Sequence, residues 1–179
     1  MNPTLRRVLI VATLVYLLDR VAKFWVVERL GLPGRGRITV LDPWFNLTMA
    51  WNRGINFGLF EMGGGAGPWI LTGIALAICL GLLFWARRRT GWAVALGTGL
   101  IIGGALGNVR DRIRYGAVAD FLNFSVPGIR NPFAFNIADA AIFLGAFVLV
   151  LFTRDEAGGG VKGGAGGRKR GPARGRDRT

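Results

Sequence analysis

Four long apolar stretches constrain the fold of this chain more than any other feature of its sequence. They cover residues 8–27, 68–86, 91–109 and 137–152. Each is close to the ~20 residues that an α-helix needs to cross about 30 Å of hydrocarbon. The chain of 179 residues is 51% hydrophobic, which is too apolar for an ordinary soluble domain. The stretches predict an all-α membrane protein with four transmembrane helices in one domain, residues 1–153.

The N-terminus has only some of the features of a secretory signal peptide. Two arginines precede the apolar residues 8–18, but no small-residue cleavage site follows them. The charged residues Asp19, Arg20 and Lys23 come instead. We therefore interpret this segment as an uncleaved first span.

The distribution of positive charge predicts the orientation of the spans. Lys and Arg number 13 over the 38 residues of the N-terminus, the 87–90 turn and the C-terminal tail, against 8 over the 67 residues of the two long loops. The positive-inside rule then places both termini in the cytoplasm and the long loops on the periplasmic side. In a membrane protein the net charge of +13 favours contact with anionic lipid over nucleic acid. The glycine-rich, basic residues 154–179 are predicted to be a disordered tail.

Histidine and cysteine usage excludes several catalytic chemistries. The chain has no His and a single Cys, Cys79, which we interpret as a packing residue within the second span. A Ser-His-Asp triad, a Cys-His dyad and an ordinary zinc site are therefore excluded. A dyad of Lys23 with Ser125, the only serine, stays formally open, although turn chemistry beside Pro127 also explains that serine.

The loops and small residues predict further structure. In the first loop, alternating or aromatic-rich runs at residues 38–41 and 45–51 indicate short strands at the membrane surface. Small residues recur at every fourth position of spans two and three, which predicts close packing seams at Gly73, Ala77 and Gly81 and at Ala95, Gly99, Gly103 and Gly107.

Two polar clusters occur within or beside the spans. Asp19 and Lys23 are four residues apart and share a helix face, so they suit an ion pair and direct catalysis about equally. Asn108, Asp111 and Arg112 also share one face. An aspartate with an arginine nearby stays ionised and is a poor proton shuttle, which favours a scaffolding role for this second cluster.

Asp120 and Asp139 differ from these clusters because both lie among apolar residues with no cation at helical spacing. Burial raises the pKa of such carboxyls, and two held close together cannot easily both ionise. A pair that shares one proton can activate water with one member and protonate a leaving group with the other. Helix capping explains the same two positions about equally well.

Four separated segments closely resemble the lipoprotein signal peptidases: residues 51–58, 103–112, 116–121 and 135–139. Asp19 and Lys23 also resemble the first-span Asp-Gln-x-x-Lys element of that family, although Arg20 stands in place of the Gln. Asn56 likewise stands where the family often has Ala. These departures leave open how the first span is anchored and how the loop lines the substrate groove.

The resemblance implies a bacterial inner-membrane aspartic endopeptidase that removes the signal peptides of diacylglyceryl-modified prolipoproteins, cutting before the lipidated cysteine. It implies four transmembrane helices with a small periplasmic β-sheet and a short surface helix, and no metal or organic cofactor. We also expect the protein to be a monomer among membrane lipids. The catalytic pair corresponds to Asp120 and Asp139. The substrate-binding or supporting residues correspond to Asp19, Lys23, Asn52, Gly54, Asn108, Asp111, Arg112 and Asn136.

Two other classes of function are compatible with parts of the sequence. An ion or proton transporter would use Asp19, Lys23, Asp111 and Asp139 as a relay, but the second span has no ionisable residue to extend such a path. A purely structural subunit would need the small-residue seams but neither of the two aspartates.

Overall fold

The computed structural model describes residues 2–54, 66–129 and 131–152. Two predicted features lie outside these ranges: the motif positions after Gly54, which include Asn56, and the tail at residues 154–179. Within the described residues, five α-helices and one π-helical segment accompany a small sheet. The helices are α1 (Pro3–Lys23), α2 (Leu32–Arg35), α3 (Gly67–Ala86), α4 (Trp92–Tyr115) and α5 (Ile137–Phe152), and the π-helical segment is Phe24–Arg29.

The helix ends follow local sequence signals. At the start of α1, the Asn2 side chain accepts a hydrogen bond from the Thr4 backbone amide at 2.9 Å, next to a proline in the first turn. Helix α4 ends at Tyr115 and is capped by Gly116, whose φ of 67° suits a residue without a Cβ. The helix therefore runs six residues beyond the predicted end at 109, whereas α5 coincides with the predicted fourth stretch.

Two of the described helices, α3 and α4, are long and apolar enough to cross a membrane by length and composition. Helix α5 is also apolar but has only 16 residues, and α1 carries charged residues towards both of its ends. The described chain thus combines membrane-type helices with a small sheet, and the exact number of four spans stays a prediction.

Helix α4 lies at the centre of the helical part, and its glycines allow two neighbours to approach closely. A Cβ on Gly99 or Gly103 would collide with Val11 or with the Ala12 carbonyl of α1. A Cβ on Gly97 would collide with Leu149 of α5. The predicted seam on α4 therefore packs against α1, and a second glycine face, which the four-residue spacing did not reveal, packs against α5.

The predicted seam on α3 is wrong for the described part of the chain. A Cβ added to Gly73 or Gly81 would have no atom within 4 Å. Helix α3 instead packs through Thr72, Cys79 and Ala86, which are buried. Cys79 is thus a packing residue, as predicted, and belongs to the buried cluster that also contains Val94 and Ile102 of α4.

A three-stranded antiparallel sheet covers one end of the helices, in the order β1 (Arg37–Leu41), β2 (Phe45–Asn52) and β3 (Val118–Phe124). The strands predicted in the first loop are confirmed as β1 and β2. Strand β3 was not predicted: its first four residues are all buried, so the alternation of exposed and buried positions that marks a strand is missing.

Strand β3 connects the sheet to the start of α5. On one side it pairs with β2. On the other, the backbone amides of Phe121 and Leu122 donate to the Phe135 carbonyl at 3.0 and 2.8 Å, and the Phe135 amide donates back to Leu122 at 3.0 Å. Phe121 also packs with Val26 and Leu32 in a small buried core. This pairing brings the middle of β3 next to the first turn of α5.

Candidate active site

Asp120 lies in the middle of β3 and is only 3% exposed. One carboxylate oxygen, Oδ1, accepts a hydrogen bond from Asn136 Nδ2 at 2.6 Å. The other, Oδ2, accepts one from Asn52 Nδ2 at 3.1 Å. Asn52 ends β2, so the two amides reach the carboxylate from opposite neighbours of the strand.

Asp139 lies in the first turn of α5 and takes part in capping that helix. Its backbone amide donates to Asn136 Oδ1 at 2.8 Å, and its Oδ2 accepts from the Asn136 backbone amide at 3.4 Å. This reciprocal pair is the pattern of a capping box. The remaining oxygen, Oδ1, accepts from Asn108 Nδ2 at 2.8 Å. Helix capping thus uses one oxygen of Asp139 and leaves the other facing the site.

Two asparagines join the two aspartates into one polar network. Asn136 Nδ2 donates to Asp120 and also lies 3.2 Å from Asn108 Oδ1. Because Asn108 Oδ1 also accepts from Lys23 Nζ at 3.1 Å, its Nδ2 has to face Asp139. The structure therefore brings together Asn108, Asn136 and both aspartates, which are contributed by α4, β3 and the start of α5.

The environment of Asp120 favours its protonated form. Burial, and secondly the negative charge of Asp139, raise the pKa of the Asp120 carboxyl from 3.8 to about 6. The hydrogen bonds from Asn52 and Asn136 and the charge of Lys23 act in the opposite direction. A carboxyl with a pKa of about 6 exchanges its proton readily near neutral pH, as general acid–base catalysis requires.

A buried charge cluster, defined as Asp19, Arg20, Lys23 and Asp111, lies next to this network. Lys23 Nζ contacts Asp19 Oδ2 at 3.1 Å and Asp111 Oδ2 at 2.6 Å. Arg20 Nη2 contacts Asp19 Oδ2 at 2.9 Å and Asp111 Oδ1 at 2.7 Å. Both carboxylates are completely buried. The cluster contains the ion pair of Asp19 with Lys23, and the partners of Asp111 come from α1 rather than from its neighbour Arg112.

Sequence reasoning did not identify the role of Arg20 in this cluster. Helical spacing pairs Asp19 with Lys23, whereas adjacent residues point about 100° apart on a helix and are not expected to share a partner. Arg20 nevertheless contacts both carboxylates through one nitrogen, because Asp111 of α4 lies 2.7 Å from the same Nη2 that contacts Asp19. The available signal was its residue type. The resemblance leads one to expect a neutral Gln after Asp19, and this chain has an arginine there.

Comparison with known proteins identifies the family of this chain. The sequence model of signal peptidase (SPase) II matches residues 11–154. The chain belongs to the signal peptidase II family. The lipoprotein signal peptidase of Methylorubrum extorquens (strain PA1) is 41% identical over 138 residues, 75% of this chain and 77% of the relative. That of Beijerinckia indica subsp. indica is 43% identical over 149 residues, 82% of this chain and 88% of the relative.

Solved structures of bacterial membrane enzymes share the fold. One, determined by the in meso method at 2.3 Å resolution, has a TM-score of 0.71 at 23% identity and covers 87% of this chain and 93% of its own. A second, at 1.9 Å resolution, has a TM-score of 0.66 at 25% identity and covers 80% of this chain and 89% of its own. This member of the signal peptidase II family therefore has the architecture of a bacterial membrane enzyme.

The remaining site residues of this signal peptidase II chain surround the aspartates. The Gly54 amide donates to Asn52 Oδ1 at 3.2 Å, which orients the Asn52 amide towards Asp120. The Arg112 charge acts on both Asp139 and Asp120, while its buried Nε has no hydrogen-bond partner in the described part of the chain.

The structure does not bring Ser125 to Lys23. The Ser125 hydroxyl donates to Asn123 Oδ1 and accepts from the Asn131 backbone amide.

Proposed function

We propose that this chain is an intramembrane aspartic endopeptidase that removes the signal peptides of diacylglyceryl-modified prolipoproteins, cutting before the lipidated cysteine. Asp120 and Asp139 are its catalytic pair. The observation that carries this proposal is the position of Asn136, which donates to Asp120 Oδ1 at 2.6 Å and accepts from the Asp139 amide at 2.8 Å. Membership of the signal peptidase II family supports the same substrate class.

The mechanism follows from two carboxyls that share one proton. With the scissile peptide between them, the ionised carboxylate takes a proton from water as the water oxygen attacks the carbonyl carbon. The protonated carboxyl then donates its proton to the departing nitrogen as the carbon–nitrogen bond breaks. Because neighbouring carboxyls titrate as a unit, the shared proton belongs to the pair. The pKa of Asp120, raised to about 6, brings the uptake and release of that proton close to neutral pH.

The other site residues orient or support the pair. Asn52, Asn108 and Asn136 each donate a side-chain amide hydrogen to a catalytic carboxylate. Gly54 positions Asn52 through its backbone amide. We assign Arg112 to electrostatic support of the pair, because its charge acts on both Asp139 and Asp120. The charge cluster, to which Asp19, Lys23 and Asp111 belong, supports the pair through Asn108, which Lys23 contacts.

The outward-facing residues support four membrane-spanning helices, including α1 and α5. Large apolar side chains that are at least 40% exposed line α1 at Leu14 and Leu18, and the same holds for Leu80 on α3 and for Phe143 and Phe147 on α5. Apolar side chains exposed along whole helices suit hydrocarbon and not water. We therefore propose that α1, α3, α4 and α5 all span the membrane.

The two ends of these helices differ in chemistry, which supports the proposed orientation. The Asn2 side chain donates to the Arg87 carbonyl at 2.9 Å, so the N-terminus and the α3–α4 turn share one end. That end carries Arg6, Arg7 and three further arginines at residues 87–89, which suits the cytoplasmic face. The catalytic pair lies at the opposite end of α4 and therefore faces the periplasm in this proposal.

A transporter relay receives no support from the buried charges. Among the described residues, the buried acidic and basic residues are Asp19, Lys23, Asp111 and Asp120. All four surround a single site. A path across the bilayer would need such groups along its depth.

The proposed catalytic unit is residues 1–153, a monomer among membrane lipids, with the basic tail at 154–179 contacting lipid headgroups. Removing residues 154–179 should leave turnover in detergent within about twofold, because the residues around the catalytic pair lie within 19–139. A large loss of turnover in detergent would contradict this assignment.

Single amide substitutions of the pair test the proposed function. Asp120→Asn and Asp139→Asn should each abolish cleavage of a diacylglyceryl-modified prolipoprotein in detergent, while helicity measured by circular dichroism is unchanged. Asp42→Asn is the matched control, because Asp42 is exposed in the turn between β1 and β2. Appreciable turnover in either pair variant would overturn the proposal.

A further inference from the structure

The buried carboxylates of Asp19 and Asp111 accept hydrogen bonds from the backbone next to the two proposed catalytic aspartates. The Ala138 amide, directly before Asp139, donates to Asp19 Oδ1 at 3.2 Å. The Ala119 amide, directly before Asp120, donates to Asp111 Oδ2 at 3.3 Å. The distance between these two carboxylates is thereby tied to the distance between the backbones of the catalytic aspartates.

The contact at Ala138 also satisfies a helix end. Ala138 lies in the first turn of α5, where backbone amides have no partner within their own helix. A negative charge at that end is stabilised by the helix dipole. Asp19, from α1, therefore anchors the start of α5 as well as the residue before Asp139.

Arg20 joins the two anchoring carboxylates through one atom. Its Nη2 donates to Asp19 Oδ2 at 2.9 Å and to Asp111 Oδ1 at 2.7 Å, so both oxygens stay within reach of a single nitrogen. Lys23 makes a second bridge between the same carboxylates. Two cations balance two carboxylates, whereas a neutral side chain at position 20 would leave the buried cluster with a net negative charge.

We propose that Arg20 is a positioning residue that sets the spacing of Asp120 and Asp139, a role that rests on the proposed function of that pair. Without Arg20, the two buried carboxylates repel each other, and Lys23 is the cation that still bridges them. The amides of Ala119 and Ala138 then lose a fixed acceptor position. A displacement of about 1 Å at reacting groups costs up to about 10²-fold in rate.

The kinetic test compares substitutions of Arg20 with one of an exposed arginine. Arg20→Leu should lower kcat at least tenfold on a diacylglyceryl-modified prolipoprotein and leave KM within twofold, because the substituted group does not contact substrate. Arg20→Lys should recover kcat to within about threefold, since an ammonium group can donate to both carboxylates. Arg114→Leu is the matched control: it breaks an exposed ion pair with Glu28 of 3.0 Å and should change kcat less than twofold.

Amide hydrogen exchange gives a readout that is independent of turnover. Exchange at Ala119 and Ala138 should accelerate at least tenfold in Arg20→Leu and stay near the wild-type rate in Arg20→Lys and Arg114→Leu. If Arg20→Leu does not yield folded protein, Arg20→Gln takes its place, since Gln keeps a donor but loses the charge. For Arg20→Gln we expect a threefold or greater loss of kcat and faster exchange at both amides.

Asp139→Asn, assayed in parallel, separates failure of this inference from failure of the proposed function. Turnover by Asp139→Asn would overturn both. If that variant is inactive but Arg20→Leu, or Arg20→Gln in its place, keeps kcat within twofold and exchanges normally, the positioning role alone is overturned. An increase in KM at unchanged kcat, or an equal loss of kcat in Arg114→Leu, would also overturn it. Loss of kcat with rescue by Lys and faster exchange at the two amides is the result we expect.

Discussion

Asn136 and Asp139 exchange two hydrogen bonds across the first turn of α5. The Asp139 amide donates to Asn136 Oδ1 at 2.8 Å, and the Asn136 amide donates to Asp139 Oδ2 at 3.4 Å. The capping box leaves Asn136 Nδ2 free to donate to Asp120 Oδ1 at 2.6 Å. The local signal that starts a helix therefore also aligns the two aspartates of the proposed catalytic pair.

Substitutions of Asn136 should separate capping from catalysis. Asn136→Ala removes the cap and the donor to Asp120, so we expect a loss of about 1 kcal/mol in stability and about 10²-fold in kcat. Asn136→Ser keeps a capping oxygen but cannot reach Asp120, so its stability should be nearly wild-type and its kcat still low. Thermal unfolding and turnover in detergent measure the two effects. Wild-type turnover in Asn136→Ser would contradict the proposed alignment.

The raised pKa of Asp120 predicts how stability depends on pH. Burial, together with the charge of Asp139, raises this pKa from 3.8 to about 6, so the folded protein keeps a proton that the unfolded chain has released. The resulting stability is fully present below about pH 4 and is lost as the pH rises through about 6. Asp120→Asn does not titrate. Its stability relative to wild type should therefore increase by up to about 3 kcal/mol between pH 4 and pH 8.

Unfolding midpoints of both proteins at several pH values measure this difference. Changes in packing shift the variant by the same amount at every pH, so only the pH-dependent part reports the titration of Asp120. A difference that is constant from pH 4 to pH 8 would show that the Asp120 carboxyl titrates normally.

The helices and the first two strands were predictable because their signals are local. Apolar length indicated the four long helices, and the alternating runs at residues 38–41 and 45–51 indicated β1 and β2. Strand β3 lacked such a signal because both of its faces are covered. Helix α4 runs to Tyr115 because its end is set by the cap at Gly116 and not by the length of its apolar stretch. Composition also could not tell which glycine stripe is covered: the α4 stripe is packed, and the α3 stripe is not.

The sequence predicted which residues belong to the proposed site, but not how they contact one another. Apolar surroundings singled out Asp120 and Asp139, and the family resemblance supplied their supporting residues. Their contacts depend on tertiary structure: Asn52 reaches Asp120 only because β3 pairs with β2. In the same way, Arg20 reaches Asp111 across 91 positions of the chain. Spacing along a single helix carries no information about such partners.

Asn52 should contribute to rate through its bond to Asp120. Asn52→Leu removes the donor at 3.1 Å from Asp120 Oδ2, so we expect kcat to fall about tenfold. Asn2→Leu is the matched control, because Asn2 bonds the Arg87 carbonyl at the opposite end of the helices. It should lower stability by about 1 kcal/mol through loss of the α1 cap and leave kcat unchanged. Equal kcat values for the two variants would contradict a role of Asn52 at the site.

Gly107 should be intolerant of even one methyl group, because the charge cluster packs directly on it. A Cβ at this position would lie 2.6 Å from Asp19 Oδ2, the oxygen that binds both Arg20 and Lys23. Gly107→Ala therefore has to displace the Asp19 carboxylate, and we expect a loss of about 1–3 kcal/mol in stability and roughly tenfold in kcat. Gly73→Ala is the matched control on α3, where the added methyl meets no atom within 4 Å and Ala improves helix propensity. Kinetics and thermal unfolding of the two variants test this contrast, and a Gly107→Ala enzyme as active and stable as Gly73→Ala would mean that the position of Asp19 is not critical for activity.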